Sequence, residues 1–392
     1  MNTPPETRRG SLPRLNDSLT LRFPHLDGLR GLAVLLVLVG HYSIYIPDVA
    51  QLLPPIAKTG VWLFFILSSF LLTRQMILAL ATPPLVEKTA RYFARRALRI
   101  LPLYYTTLAL LLILPKFADN MFGGRGFSLS KHAFLLYPEG IFWAISVEFE
   151  YYVAIPILAL IFLKLRCVNR FLGPLLGIGL VLLAAQAYII SWIKIGFPVN
   201  YPHVTNYAHF FLLGSALAIF FLYRSLLPVF ADSVASLLFC LGILLQAFIL
   251  PYSFRDAALN SIRFPIEWWH WLAQHPRQMI SCSAIVMGVL YSKRIGRFFS
   301  NSLLRFFGKI SFSLYCLHIL PAAYFSHWTV PLTPLGATCA FFALSVVLSL
   351  FTFSYIERPC MNLIRGPEQA VASLSETSTT TPCETHIAQA TV

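Results

Sequence analysis

Ten separate stretches of this chain are apolar over about the length needed to cross a bilayer, roughly 20 residues. They lie near 28–47, 59–81, 99–115, 141–163, 171–193, 206–223, 233–251, 278–292, 305–326 and 333–356, the third and eighth being short. In lipid every backbone N–H and C=O must find its partner within the protein, and a single apolar run does so only as a helix. The runs therefore predict an all-α fold, a polytopic integral membrane protein with about ten transmembrane helices. Composition agrees. Only 12% of residues are charged, against about 25% in an average soluble domain. That excludes a disordered chain, a collagen-like fibre and an ordinary water-soluble enzyme.

The charges are sorted along the chain. An even number of helices puts both termini on one side, and that side collects 22 of the 30 Lys and Arg residues, the other side eight. By the positive-inside rule the termini and the Arg-rich loops are cytoplasmic. The net charge of +14 is thus a matter of orientation. So apolar a chain leaves little surface for a reader of nucleic acid, and no nucleic-acid partner is expected. Three regions follow: a cytoplasmic N-terminal tail at 1–24, a transmembrane domain at 25–364, and a Ser/Thr-rich, disordered cytoplasmic tail at 365–392. The first apolar run begins too far in, and lacks the small-residue cleavage site, for a removable signal peptide. Seven scattered Cys without a C-x-x-C pair support neither a disulfide framework nor a metal site.

Ionisable residues at membrane depth are costly and mark function by default. Arg30 and His41 lie eleven positions apart in the first run. In a helix they fall about 20° apart on one face and roughly 16 Å apart along the axis. A neutral imidazole there can take and return a proton, or it can be a core histidine bonded to a neighbouring helix. Arg91, Arg95, Arg96 and Arg99 precede the third run. Their guanidinium forks suit phosphate groups, although lipid headgroups would satisfy a plain cytoplasmic anchor as well. Glu148 and Glu150 share the fourth run, where each needs a proton, a cation or several hydrogen bonds. Arg30, His41, Arg96 and Arg99 are the available counter-charges, and a structural ion pair is the alternative to a site. His318 reads as packing or a hydrogen bond, Glu357 with Arg358 as a boundary cap, and the outer-side histidines show no ligand spacing.

Taken in order, these motifs resemble the membrane acyltransferase-3 family. Leu26-Asp27-Gly28-Leu29-Arg30-Gly31 leads to His41 with the family's Arg-x10-His spacing. Phe64 to Leu72 is similar to its second-helix signature, with Ser69 where Gly is common. Arg96-Ala97-Leu98-Arg99-Ile100, followed by Pro102, resembles its R-x-x-R-I-x-P pattern. Trp143 to Glu148 is similar to its W-x-L-x-x-E segment, and Ile310–His318 and Tyr355–Pro359 to its closing signatures.

The resemblance implies an O-acyltransferase with acyl-CoA, by default acetyl-CoA, as cytoplasmic donor and no metal. Arg96 and Arg99 would hold the donor's phosphates. His41 would act as general base on an acceptor hydroxyl, or carry the acyl group transiently. Arg30 and Glu148 would position or polarise the site. The acceptor would be a hydroxyl of a glycan, a lipid-linked sugar or a small molecule, so that O-acetylation in polysaccharide modification is one expected role. The location would be the cell membrane, the inner one in a Gram-negative cell. Some family members carry a fused extracytoplasmic hydrolase-like domain. None is read in these residues, so the chain would act alone or hand the acyl group to a separate downstream transferase. The competing reading is a transporter or flippase of a lipid or glycolipid, against which the lack of internal repeats counts.

Overall fold

The computed structural model describes residues 22–43, 54–114, 129–135, 140–169, 171–194, 204–223, 232–259, 267–327 and 333–364, and no strand occurs among them. The expected tails at 1–24 and 365–392 lie outside the described residues, except for 22–24. A helix occupies each of the ten apolar runs. In chain order these are α1 (Pro24–Ser43), α2 (Pro54–Leu80), α3 (Leu85–Ile113), the short α4 (Leu129–Ala133), α5 (Trp143–Val168), α6 (Leu172–Lys194), α7 (Val204–Leu222), α8 (Asp232–Leu259) and α9 (Glu267–Tyr291). Short helices follow: α10 (Lys293–Phe299), α11 (Ser302–Lys309), α12 (Ser311–Leu317) and α13 (Ile319–His327). The last long helix, α14 (Pro334–Thr352), passes through a π-turn (Phe353–Glu357) into α15 (Arg358–Asn362). By length and composition, five helical segments among the described residues suffice to cross a membrane, or six if one bent pair counts as a span.

Two elements differ from their expected form. The ninth run is not one straight helix: α11 and the following helix meet at 59°. A second break falls at His318, where Pro321 has no N–H to offer the Leu317 carbonyl one turn back. In addition, α3 begins at Leu85, so the arginine cluster lies inside the helix and not before it. Hydropathy marks where a span leaves the lipid, whereas Ala and Arg continue a helix well beyond that point.

α1 is the central strut. It packs along α2 on one side and α11 on the other, and the α1–α11 contact is made backbone to backbone. A Cβ on Gly31 would overlap the Leu304 carbonyl oxygen, and one on Gly308 would overlap that of Asp27. Small residues permit such approach, which is how helices associate when lipid removes the hydrophobic drive. The Ser69 departure has its counterpart here. Ser69 donates to the carbonyls of Phe65 (2.8 Å) and Ile66 (3.1 Å). The glycine that makes room for it is Gly214 on α7, where a Cβ would strike the Ser69 hydroxyl.

The interior between α2, α5 and α7 is aromatic. Trp62 stacks on Phe210 and Phe65 on Phe211, each at 4.5 Å between centroids, and Trp143 meets Trp62 edge-on. Polar side chains within this bundle are tied together. Thr73 and Tyr151 both hydrogen-bond the Ser215 hydroxyl at 2.7 Å. Thr59, Gln246 and Gln278 form a closed ring across α2, α8 and α9. Interhelical bonds of this kind contribute about 0.6–2 kcal/mol each in membranes.

Candidate active site

Four of the five residues singled out in the sequence meet at one cavity. Arg30 from α1, Arg96 and Arg99 from α3 and Glu148 from α5 line a space of about 80 Å³, with Ser68 and Gln75 of α2, Tyr152 of α5 and Phe312 of α12 completing it. The local reasons are simple. Arg96 and Arg99 are three residues apart and share a helix face, and Glu148 and Tyr152 are four apart on theirs. Both line the cavity.

The electrostatics point to an anion. Three guanidinium groups face a single carboxylate across the cavity. The Nε groups of Arg30 and Arg96 are buried and have no hydrogen-bond partner. A buried charged donor left unmade costs free energy well above that of a neutral one, so both Nε groups are open to an acceptor from outside the chain. The volume suits one phosphate-sized group. It is too small for a whole nucleotide, since sites for drug-sized ligands run from about 300 to 1,000 Å³.

The two carboxylates of α5 separate into different roles. Glu150 turns away from the cavity and accepts the backbone N–H of Val204 at 2.8 Å. It thereby caps the first turn of α7, whose leading N–H groups have no partner within the helix.

His41 does not line the cavity. It lies eleven residues further along α1 and meets His318, at the junction of α12 and α13. His318 Nε2 is 3.2 Å from His41 Nδ1, with the rings 4.9 Å apart. Each imidazole also places its Nδ1 at 3.0 Å from the carbonyl one turn back, Val37 for His41 and Leu314 for His318. A carbonyl only accepts, so both Nδ1 atoms carry the proton in the neutral rings, an assignment that rests on the hydrogen-bond network. The one His41 Nδ1–H is then shared between the Val37 carbonyl and His318 Nε2, and the basic lone pair of His41 is left on Nε2. That is the tautomer of a general base, oriented through its other nitrogen.

Sequence reasoning missed His318 as the partner of His41, having read it as packing or a hydrogen bond to no named group. The available signal was that His318 is itself an ionisable residue within an apolar run. It also missed Tyr152 and the inward turn of Glu357, which is 2% exposed and accepts from Ser313 at 2.7 Å in place of capping a boundary. Among the described residues no group of three or more His, Cys, Asp or Glu gathers as metal ligands.

The model of a protein family, described as an acyltransferase domain, matches residues 23–354. No curated protein and no solved structure matches the chain.

Proposed function

The chain belongs to the acyltransferase-3 family, and on that premise we propose that it is a multi-pass membrane O-acyltransferase using cytoplasmic acyl-CoA as donor. The acyl group is acetyl by default, and the acceptor is a hydroxyl of a glycan, a lipid-linked sugar or a small molecule. The observation that carries this reading is the pair of buried, unpartnered Nε groups of Arg30 and Arg96 at one cavity. We read ten spans with both termini cytoplasmic. The support is a helix in each apolar run and the 22-to-8 division of positive charge.

In this mechanism Arg96 and Arg99, with Arg30 beside them, bind donor phosphate by charge-assisted hydrogen bonds. Glu148, at the same cavity, offsets part of the guanidinium charge before the donor arrives. The distance from Arg30 to His41 along α1 is roughly 16 Å at 1.5 Å per residue, comparable to the extended pantetheine arm that carries the thioester. His41 Nε2 takes the proton of the acceptor hydroxyl as the oxygen attacks the thioester carbonyl. The new C–O bond forms, the C–S bond breaks, and CoA leaves as a thiolate that recovers the proton. Meanwhile His41 becomes an imidazolium whose Nδ1–H is held by His318 Nε2. Such positioned base catalysis contributes about 10²–10⁴-fold.

The experiment is direct. The chain in nanodiscs, given radiolabelled acetyl-CoA and a panel of hydroxyl acceptors, transfers label to one of them. Failure to bind CoA would overturn the donor assignment. Mass spectrometry of surface glycans and metabolites from a deletion strain, searching for a lost acyl increment, identifies the acceptor.

A further inference from the structure

α12 is two turns of helix between two breaks. At its start it meets α11 at 59°. At its end the chain bends at His318, where Pro321 withholds an N–H from the Leu317 carbonyl. Apolar packing against α1, α3 and α14 fixes where α12 lies. The rotation of so short a segment about its own axis is not inherited from a longer helix, so it depends on directional contacts. One of these, at Tyr315, has no part in the mechanism above.

Tyr315 is buried, and its hydroxyl donates to the Ile141 carbonyl at 2.5 Å, the short end of the O–H···O range. Ile141 lies in the single 3₁₀ turn, Gly140–Phe142, that leads into α5. The bond therefore ties α12 to the entry of a helix 174 positions away in sequence. Three residues on, about 60° round the same helix face, stands His318, its ring 6.1 Å from that of Tyr315. The two are also joined through the backbone. The Leu314 carbonyl accepts from both the N–H and the Nδ1–H of His318, at 3.1 and 3.0 Å, and it belongs to the peptide unit that ends at the Tyr315 Cα. Turning α12 enough to break the Tyr315 bond would carry along that peptide, the His318 ring and its contact with His41.

We infer that Tyr315 is a positioning residue: its hydroxyl, bonded to the Ile141 carbonyl, holds α12 at the rotation that brings His318 Nε2 to the Nδ1–H of His41. The inference rests on the proposed role of His41 as base, and its test is built to fail separately from that reading. A hydroxyl that merely satisfies its own burial predicts lost stability and an unaltered His41.

The full chain in nanodiscs is compared with Tyr315→Phe, His318→Ala and the double variant. Tyr104→Phe is the control, since it removes another buried tyrosine hydroxyl, one that bonds α3 to α4 through the His132 carbonyl at 2.8 Å. Diethyl pyrocarbonate acylates the free lone pair of an imidazole, and its rate at His41 is read by peptide mass. Tyr315→Phe is expected to slow that rate about three- to tenfold, the scale of one hydrogen bond. The double variant should be no slower than His318→Ala, because Tyr315 acts through His318. An unchanged or faster rate in Tyr315→Phe overturns the inference, as do losses that multiply in the double variant or equal slowing by Tyr104→Phe. In labelled transfer from acetyl-CoA, Tyr315→Phe should lower kcat by a similar factor and leave KM for acetyl-CoA unaltered. A raised KM at unchanged kcat overturns the inference too. If the wild type transfers no label, the proposed function fails, while the modification rate at His41 still decides on Tyr315.

Discussion

His318 Nε2 lies 3.2 Å from His41 Nδ1, a contact between residues 277 positions apart. With each Nδ1 proton on the side of a carbonyl one turn back, and that of His41 shared with His318 Nε2, the pair leaves one lone pair without a facing donor, on His41 Nε2. His318 thus stands toward His41 as an orienting acceptor stands toward a catalytic base.

Replacing His41 by Ala is expected to abolish acyl transfer, with a loss of at least about 10²-fold, while membrane expression persists. The check is labelled transfer from acetyl-CoA at matched protein levels. Full activity in a well-folded His41→Ala protein would sink the mechanism.

His318→Ala should be milder. A hydrogen bond to a charged group is worth about 1.5–3 kcal/mol, so roughly ten- to a hundredfold in rate. Because His318 acts through His41, the double variant should be no slower than His41→Ala alone. Losses that multiply would show that His318 has an independent role.

Arg96→Ala combined with Arg99→Ala is expected to weaken CoA binding by about a hundredfold or more, two charge-assisted contacts being lost, with acceptor binding little changed. Isothermal titration with CoA and with acceptor separates the two effects. Equal losses on both ligands would point to misfolding.

The two carboxylates of α5 should part company. Glu148→Gln is expected to impair transfer severely. Glu150→Ala should lower thermal stability by about 1 kcal/mol, the worth of a helix cap, and leave CoA affinity intact. A Glu150→Ala protein that fails to bind CoA would contradict the division of roles.

At the α1–α11 contact, Gly308→Val should destabilise the fold by about 1–3 kcal/mol, as overpacking does. A lowered unfolding midpoint is the readout, and an unchanged one would mean that the backbones are not in contact there.

Much of the site was legible in the sequence for one physical reason: a charge within an apolar run is visible against its surroundings. Arg30, Arg96, Arg99 and Glu148 stand out in that way, and they converge on one cavity. Pairing was not legible. Whether His41 would meet an arginine, a glutamate or another histidine depends on how α1 lies against α12, and one-dimensional spacing carries no information about that. Nor could hydropathy show where α3 begins or that the ninth run bends, since Gly308 and Pro321 act through backbone contacts and lost donors and leave apolarity unchanged. Glu357 reads as a boundary residue in sequence because hydropathy does not show that the helix face it shares with Ser349 and Phe353 is the buried one.

The bent ninth run has a consequence of its own. The segment Ser311–His318 is barely two helical turns long, yet one of its ends touches Glu357 through Ser313 and the other touches His41 through His318. Both contacts are therefore carried by one short segment. A substitution that tilts that segment against its neighbours would disturb both together.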